Sequence, residues 1–375
     1  RLMTDVIRVM ICEDSAVMRR LIKTSLQVDP RLRVVCEAKH GQEAVQMLPT
    51  ANPDVIVMDV EMPVMDGIDA VREIRKRNSY VPIIMFSSLT TNGAQATLDA
   101  IEAGATDFSA KPANLGHVEK ALEHVRKDLI PKMFHWVKIQ LTESMASSGD
   151  RPPQANDGVS ANATKPESQS LASQKQVTTP ISAIGIGVST GGPKALAELI
   201  DSLPLDFPAP ILIAQHMPPV FTGLLAERLA ARKGHRVREA TDGEVLKQSE
   251  ILVAPGDFHL VVQRAGNYVR AGLNQSEPEN SCRPSVDPLF RSMAECYGKH
   301  CVGVVLTGMG RDGEQGVRAL RAQGASILVQ DEQSSVVWGM PGNLVRSGLA
   351  DQVLPLEQLA AEVVRMANSQ PSLAI

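Results

Sequence analysis

Short apolar segments alternate with helical patterns along most of this chain, and that alternation limits the possible folds more than any other feature. In the N-terminal third, helical patterns separate five strand-like segments: Ile7–Cys12, Leu32–Cys36, Val55–Met58, Ile83–Phe86 and Asp107–Ser109. Short apolar strands that alternate with helices are typical of a parallel sheet covered on both faces. A similar block begins near residue 180. We therefore predict an α/β protein with two doubly wound domains, an N-terminal (βα)5 unit and a C-terminal, mostly parallel sheet.

A polar stretch separates the two blocks. From Thr142 to Thr179 large apolar residues are almost absent, so this segment cannot bury enough surface to offset its ordering entropy. Before it, Leu129–Leu141 carries apolar residues at near-helical spacing, which predicts a helical extension. We predict a first domain over residues 4–128, a linker over 129–179 that is partly helical and then disordered, and a second domain over 180–375.

Composition excludes several classes of function. The net charge of −4 gives no general attraction to nucleic acid or to an anionic membrane, and aromatic residues make up only 3% of the 375 residues. No apolar run reaches the roughly 18 residues that span a membrane, and the N-terminus lacks the pattern of a signal peptide. The five cysteines are scattered and odd in number, which is typical of reduced thiols. We expect a cytoplasmic protein that neither inserts into membranes nor binds nucleic acid.

Polar side chains follow four of the five predicted N-terminal strands. Glu13 and Asp14 come after the first strand, Asp59 after the third, Ser87 after the fourth and Lys111 after the fifth. Carboxyl ends of parallel strands meet at one edge, so these side chains are expected to share a pocket. Clustered carboxylates repel one another unless a hard cation neutralises them, which indicates Mg²⁺. One aspartate there could attack a phosphoryl group while the cation, Ser87 and Lys111 balance the new charge.

Any one of these residues could be an ordinary loop residue, but five suitable residues at the ends of four strands make coincidence improbable. This segment resembles a response-regulator receiver domain from end to end. The resemblance is carried by Glu13-Asp14, Met58–Gly67 and Ala110–Pro112. It implies that Asp59 is phosphorylated by a histidine-kinase partner, with Mg²⁺ held by Glu13, Asp14 and Asp59. It also implies that Ser87 and Phe108 are the switch hydroxyl and aromatic, which rearrange together on phosphorylation.

The second block opens with an apolar run that ends in Gly187-Val188 and continues as Ser189, Thr190, two glycines and Pro193. A buried strand that runs into a tight turn and a helix with proline in its first turn places Ser189 at the carboxyl end of a parallel strand. Ligands of open α/β sheets bind at that edge. We interpret Ser189 as a nucleophile.

Two further strand ends supply what a serine nucleophile needs. His216 ends a buried strand, and Asp312 follows the strand that begins near His300. An imidazole can take the proton of a serine hydroxyl, and a carboxylate fixes the tautomer of that imidazole. Alternatives exist for each: a packed histidine for His216, a helix N-cap for Asp312. His259 and His300 are the other candidate bases, although His300 starts a strand and so lies at the wrong edge.

Rival readings of the glycine pattern fit less well. A dinucleotide-binding loop requires the next strand to end in an acidic residue, and here it ends in Gln215-His216. Gly187–Gly191 fits the G-x-S-x-G nucleophile elbow, but that fold orders its triad serine, acid, histidine, whereas histidine is second here. The interpretation that remains is a serine hydrolase whose sheet has a different strand order from the nucleophile-elbow fold.

The second block resembles the catalytic domain of chemotaxis protein-glutamate methylesterases over its whole length. The motifs that carry the resemblance are Gly187–Pro193, Gln215–Pro218, Ala254–Asp257, Arg283–Asp287 and Leu306–Gly313. The resemblance implies Ser189 as nucleophile, His216 as general base and Asp312 as the orienting carboxylate. It further implies that Thr190 and the backbone N–H of Met309 lie at the oxyanion site.

This resemblance implies hydrolysis of glutamate γ-methyl esters, and deamidation of certain glutamines, on the cytoplasmic helices of chemoreceptors. No cofactor is expected for the ester chemistry. The unphosphorylated N-terminal domain is expected to cover the cleft, and phosphorylation of Asp59 to uncover it. The alternative is a phosphorylation-controlled binding protein with a vestigial hydrolase cleft. A DNA-binding output is weaker still, since no basic recognition helix follows the linker.

Overall fold

The chain folds into two α/β units, each built around its own parallel sheet. This computed structural model describes residues 6–78, 80–112, 118–147 and 181–368. The predicted fold class is confirmed, because every pairing within the two large sheets is parallel and helices connect most of the strands. None of the helices in these four ranges is long and apolar enough to cross a membrane.

The N-terminal sheet has five strands in the order β2-β1-β3-β4-β5. Its strands are β1 (Ile7–Cys12), β2 (Leu32–Ala38), β3 (Val55–Asp59), β4 (Ile83–Ser87) and β5 (Asp107–Ala110). Its helices are α1 (Ala16–Leu26), α2 (Gly41–Ala51), α3 (Gly67–Arg77), α4 (Thr91–Glu102) and α5 (Val118–Ser147). Strands β3 and β4 are buried along their whole length, as expected for central strands with helices on both faces.

Helix α5 is longer than predicted. The expected extension over residues 129–141 is continuous with the last helix of the first unit, and the helix goes on to Ser147, into the stretch predicted to be disordered or extended. The remainder of that stretch lies outside the described residues. Once a helix is nucleated, each added residue contributes a backbone hydrogen bond, so a packed helix can continue into a weakly helical sequence. The boundary proposed at residue 128 therefore falls within α5.

The C-terminal sheet has seven strands in the order β14-β13-β12-β6-β7-β9-β8. Its strands are β6 (Ala183–Val188), β7 (Ile211–Gln215), β8 (Arg236–Glu239), β9 (Glu250–Val253), β12 (Cys301–Val305), β13 (Ser326–Gln330) and β14 (Gln352–Leu354). A separate antiparallel hairpin is formed by β10 (His259–Ala265) and β11 (Tyr268–Asn274). The helices are α6 (Gly192–Asp201), α7 (Phe221–Lys233), α8 (Val286–Tyr297), α9 (Glu314–Ala322), α10 (Met340–Arg346) and α11 (Leu356–Ala367).

The two units pack directly against each other through α4, β5 and α5. Ala94 and Leu98 of α4 belong to the same buried cluster as Phe221 and Leu225 of α7. Val337 of the C-terminal unit belongs to the buried cluster that α5 forms with the N-terminal sheet. Side chains of each unit lie within the core of the other, so the interface is packed like a protein interior. The position of this interface decides what can reach the edge of the C-terminal sheet.

Candidate active site

The three predicted triad residues follow three neighbouring strands. Ser189 follows β6, His216 follows β7 and Asp312 lies beyond β12, and β6 is paired with both of the other strands. After β6 the chain adds β7, β8 and β9 on one side of β6, and it later adds β12, β13 and β14 on the other side. The direction of strand addition therefore reverses between β6 and β12, which is a topological switch point. The carboxyl ends of strands at such a point form a crevice. Strand order therefore explains why residues far apart in sequence meet here.

The turn that carries Ser189 is held by its neighbours. The Ser189 N–H donates to the Thr307 carbonyl at 3.0 Å, and the Gln215 side-chain amide donates to the Ser189 carbonyl at 3.0 Å. The Thr307 hydroxyl donates to the Thr190 carbonyl at 2.9 Å. A Cβ on Gly308 would lie 2.8 Å from the Ser189 Cβ, so only glycine allows this approach. No role was predicted for Gln215 or Thr307, although both lie within motifs that carry the family resemblance.

His216 and Asp312 are directly paired. His216 Nε2 lies 2.6 Å from Asp312 Oδ2, so Nδ1 is the ring nitrogen that is not paired with Asp312. Burial opposes the imidazolium, but the Cys282 sulfur and the Asp312 carboxylate favour it and together raise the pKa of His216. No hydrogen bond joins the Ser189 hydroxyl to His216 in the described part of the chain. Catalytic hydrogen bonds often form fully only when substrate binds, so the pair stays a candidate nucleophile and base.

Asp312 is built to remain ionised. Burial opposes its charge, but His216 and hydrogen bonds from the Val286 N–H and the Ser285 hydroxyl, both at 2.7 Å, lower its pKa to about 2. Asn280 and the Gly313 N–H are further donors to Asp312, at 2.9 Å each. An anionic carboxylate with this many donors is held in one orientation, which is what a residue that orients an imidazole requires.

Asn280 also connects Asp312 to a second buried carboxylate. Its side-chain amide donates to Asp287 Oδ2 at 2.9 Å, and Asp287 accepts the Gly316 N–H at 2.7 Å. Asn280 and Ser281 both have left-handed backbone angles, with φ of 53° and 63°. Such angles are costly for a serine and persist only where the surroundings impose them. Sequence reasoning missed Asn280, since a single asparagine in a loop carries no local signal.

The other candidate histidines lie elsewhere. His259, at the start of β10, is buried, and its Nδ1 lies 3.2 Å from the Ser285 N–H, so it supports the loop beside Asp312. His300 ends the short 3-10 turn before β12, at the edge opposite Ser189. Neither residue is brought to the serine; for His300 this was expected from its place at the start of a strand.

Ser189 and His216 line a cavity of about 610 Å³ between the two units. Thr190 and Met309 line it as well, so both expected oxyanion residues lie in the same cavity as the serine. Asp107 and other residues of the N-terminal unit form the opposite wall. The cleft is therefore covered by the N-terminal unit in this state.

Two contacts across the cavity involve β5. The Thr190 hydroxyl donates to Asp107 Oδ2 at 3.3 Å, which ties an expected oxyanion residue to the N-terminal unit. Phe108 stacks on Phe221 of α7, with ring centroids 4.9 Å apart and an angle of 8° between the ring planes. Stacked aromatic pairs contribute about 0.5–1.5 kcal/mol beyond their buried area. The expected switch aromatic is thus part of the contact that covers the cleft.

The predicted acidic pocket forms at the carboxyl edge of the N-terminal sheet. Oxygens of Glu13, Asp14 and Asp59 all lie within 4.8 Å of one another. Lys111 Nζ lies 2.8 Å from Asp59 Oδ1 and 3.0 Å from Glu13 Oε2, and the Ser87 hydroxyl donates to the Gly93 carbonyl at 3.0 Å. Burial and the Asp59 charge raise the pKa of Glu13 to about 7 against the opposing effect of Lys111. Three crowded oxygen donors fit a hard divalent cation such as Mg²⁺.

Comparison with known proteins matches both units to described families. Residues 9–123 match the response regulator receiver domain, and residues 184–363 match the CheB methylesterase. A protein-glutamate methylesterase/protein-glutamine glutaminase of Trichodesmium erythraeum is 45% identical over 360 residues, which are 96% of this chain and 98% of that protein. A protein of the same name from Nocardioides sp. is 43% identical over 368 residues, 98% of this chain and 97% of that protein.

The crystal structure of the Thermotoga maritima CheB methylesterase catalytic domain is 39% identical in sequence, with a TM-score of 0.49, and covers 50% of this chain and 100% of that chain. The match with these two relatives covers 96% and 98% of this chain, so it extends through both units. This chain belongs to the CheB methylesterase family of proteins that carry a response regulator receiver domain.

Proposed function

We propose that this protein hydrolyses γ-methyl esters of glutamate on the cytoplasmic helices of chemoreceptors, and deamidates glutamines there by the same acyl chemistry. The observation that carries the proposal is that His216, whose Nε2 lies 2.6 Å from Asp312 Oδ2, lines one cavity together with Ser189. The names of the curated relatives give the same two activities. Sensory adaptation is the process that such a reaction serves.

The site residues take the following roles in this proposal. The Ser189 oxygen attacks the γ-carbonyl carbon while His216 takes the hydroxyl proton, and the carbonyl oxygen becomes an oxyanion near Thr190 and the Met309 N–H. His216 then returns the proton to the departing methoxide, so methanol leaves and an acyl-serine remains. Water attacks the acyl-serine with His216 as base, and His216 then gives that proton to the departing Ser189 oxygen, so the acyl bond breaks and the glutamate side chain is released as its carboxylate. Asp312 stabilises the imidazolium at both stages.

The receiver unit regulates this chemistry by covering the cleft. Asp59 accepts a phosphoryl group from a histidine kinase of the chemosensory pathway. Lys111 and Ser87, which line the same pocket as Asp59, balance charge on the new phosphate oxygens. When bound at Glu13, Asp14 and Asp59, Mg²⁺ supplies charge neutralisation for that transfer. Movement of Ser87 toward the phosphate would release its hydrogen bond to Gly93 and allow Phe108 to leave Phe221.

We further propose a cytoplasmic location. All five cysteines are free thiols, and four of them are buried, which suits a reducing compartment. Substrate and kinase of the proposed pathway also act there. The alternative of a binding protein with a vestigial cleft is not favoured, because each side chain needed for catalysis is present and the base is paired with its carboxylate.

Methanol release from a methylated chemoreceptor fragment tests the proposed chemistry. The full-length protein with a small phosphodonor and Mg²⁺ should release methanol, and Ser189→Ala should lower release at least about a thousandfold, since a triad without its nucleophile loses most of its catalysis. Ser182→Ala, which removes an exposed hydroxyl just before β6, should behave as wild type. Equal release by Ser189→Ala and wild type would rule out Ser189 as the nucleophile.

A further inference from the structure

Helix α4 of the receiver lies against α7 in the manner of a bound helical ligand. Its apolar residues Ala94 and Leu98 are buried in the hydrophobic core cluster of the C-terminal unit, beside Phe221 and Leu225. Residues at positions i and i+4 share one face of a helix, so this is an apolar stripe. Recognition of an amphipathic helix by an apolar groove follows the same pattern.

An arginine of α7 pairs with acidic side chains of α4. Arg228 of α7 forms an ion pair with Asp99, lies 3.1 Å from Glu102 through Nη1 and donates to the Gln95 carbonyl at 3.0 Å. Asp99 and Glu102 are three positions apart and so lie on the same helical face. The Arg228 side chain is only 19% exposed, which makes the attraction stronger than that of a fully solvated pair.

Phe221, Leu225 and Arg228 form the surface of α7 that contacts α4, which we call the groove. It lies at the mouth of the catalytic cavity. Ile101, between the two acidic residues, lines the cavity that contains Ser189 and His216. Helix α7 begins five positions after His216, so the base and the groove are joined by one short loop. Departure of the receiver would expose Phe221, Leu225 and Arg228 together, as an apolar surface with one cation beside the nucleophile.

We propose that the groove of Phe221, Leu225 and Arg228 binds the substrate helix, and that Arg228 pairs with a carboxylate about one turn from the target glutamate. This proposal rests on the proposed function, because that function makes the substrate a helix with glutamates. The receiver helix α4 then covers the cleft by occupying the place of the substrate helix. Charge complementarity is the reason for this occupant: the acidic i, i+3 pair seated on Arg228 is the pattern that a helix rich in glutamate presents.

Reversing the charge of Arg228 should weaken both the covering by α4 and the docking of a substrate helix. The first effect raises the rate without phosphodonor and the second lowers the rate on a helical substrate, which allows a direct test. The test compares two substrates with the full-length protein: a methylated helical receptor fragment, and the γ-methyl ester of N-acetylglutamate, which is too short to form a helix. Without phosphodonor, Arg228→Glu should hydrolyse the small ester about tenfold faster than wild type, because α4 is repelled. With phosphodonor, its rate on the small ester should equal that of wild type.

On the receptor fragment with phosphodonor, Arg228→Glu should lose about tenfold or more in kcat/KM, mainly through a higher KM. Arg232→Glu is the matched control, since it makes the same charge change one turn further along α7, where the arginine pairs with Asp201 of the same unit. A fragment with lysines in place of the acidic residues one turn from the target should be poor for wild type and recover with Arg228→Glu.

Wild-type kcat/KM for Arg228→Glu on the receptor fragment, in the presence of phosphodonor, would overturn the proposal while leaving the proposed function intact. If Arg228→Glu is slow on both substrates, the lysine-substituted fragment decides: recovery supports docking at Arg228, and no recovery overturns it. Absence of methanol from every wild-type reaction would instead contradict the proposed function itself.

Discussion

Asn280 holds two buried carboxylates in place with one amide group, since it donates to Asp312 and to Asp287 at 2.9 Å each. We predict that Asn280→Ala lowers kcat for a small ester about tenfold. A lost hydrogen bond to a charged group costs roughly 1.5–3 kcal/mol, and the lower end applies because Asn280 itself is exposed and water can replace part of the interaction. The kcat of the phosphodonor-treated protein measures this effect.

The matched control for that prediction is Asn267→Ala, in the exposed turn of the β10–β11 hairpin. It removes the same side chain at a distance from the carboxylates. A kcat for Asn280→Ala that equals the Asn267→Ala value, with both proteins folded, would show that Asp312 keeps its orientation without the asparagine.

The pKa of His216 gives a second prediction at this scale. A general base accepts a proton only when it is neutral, so a raised pKa moves the pH at which the base becomes competent upward. In the covered enzyme, we expect His216 to lose its proton at a pH well above that of an exposed histidine. Asp312→Asn removes one group that favours the imidazolium and should lower this pKa.

Titration of the imidazole signals by NMR measures both pKa values. His235 serves as an internal reference, because burial lowers its pKa and it lies apart from Asp312, so Asp312→Asn should leave it unchanged. The prediction is wrong if His216 in the unphosphorylated protein titrates at or below the pKa of an exposed histidine.

At the scale of elements, the positions of strand ends were predictable and the contacts between loops were not. Strand β1 has the predicted bounds, and Ser189, His216 and Asp312 follow strands as expected. Strands β8 and β14 were missed because they are short edge strands, and β8 reads Arg-Val-Arg-Glu with a single buried residue. The role of Asn280 depends on a loop conformation, and no periodic pattern encodes it.

The stacked pair of Phe108 and Phe221 is an element-scale contact with a measurable effect. We predict that Phe108→Ala raises hydrolysis of a small ester without phosphodonor several-fold to tenfold. The loss of about 0.5–1.5 kcal/mol of stacking, together with lost buried area, weakens the covered state by that factor. With phosphodonor, variant and wild type should have the same rate.

Phe134→Ala is the matched control, because this phenylalanine of α5 packs under Arg31 within the receiver. If Phe108→Ala hydrolyses the ester no faster than Phe134→Ala without phosphodonor, the stack does not contribute to covering the cleft.

At the scale of the whole molecule, the active site is a property of two units together. The receiver supplies one wall of the cavity, the acidic partners of Arg228 and the aromatic partner of Phe221. That the receiver covers the cleft could be predicted from the sequence, but only because the sequence resembles a known family. The contacting residues could not be predicted, because Asp99 and Arg228 are 129 positions apart and no local pattern links them.

The central claim is that phosphorylation of Asp59 uncovers a working esterase. The most direct measurement is methanol release from a methylated receptor fragment by wild type and by Asp59→Asn, each with and without a small phosphodonor and Mg²⁺. The account predicts that the phosphodonor raises the wild-type rate at least about tenfold, the effect of roughly 1.4 kcal/mol on the covered state, and leaves Asp59→Asn at its basal rate. Equal rates for wild type with and without phosphodonor, in protein shown to carry phosphate on Asp59, would contradict it.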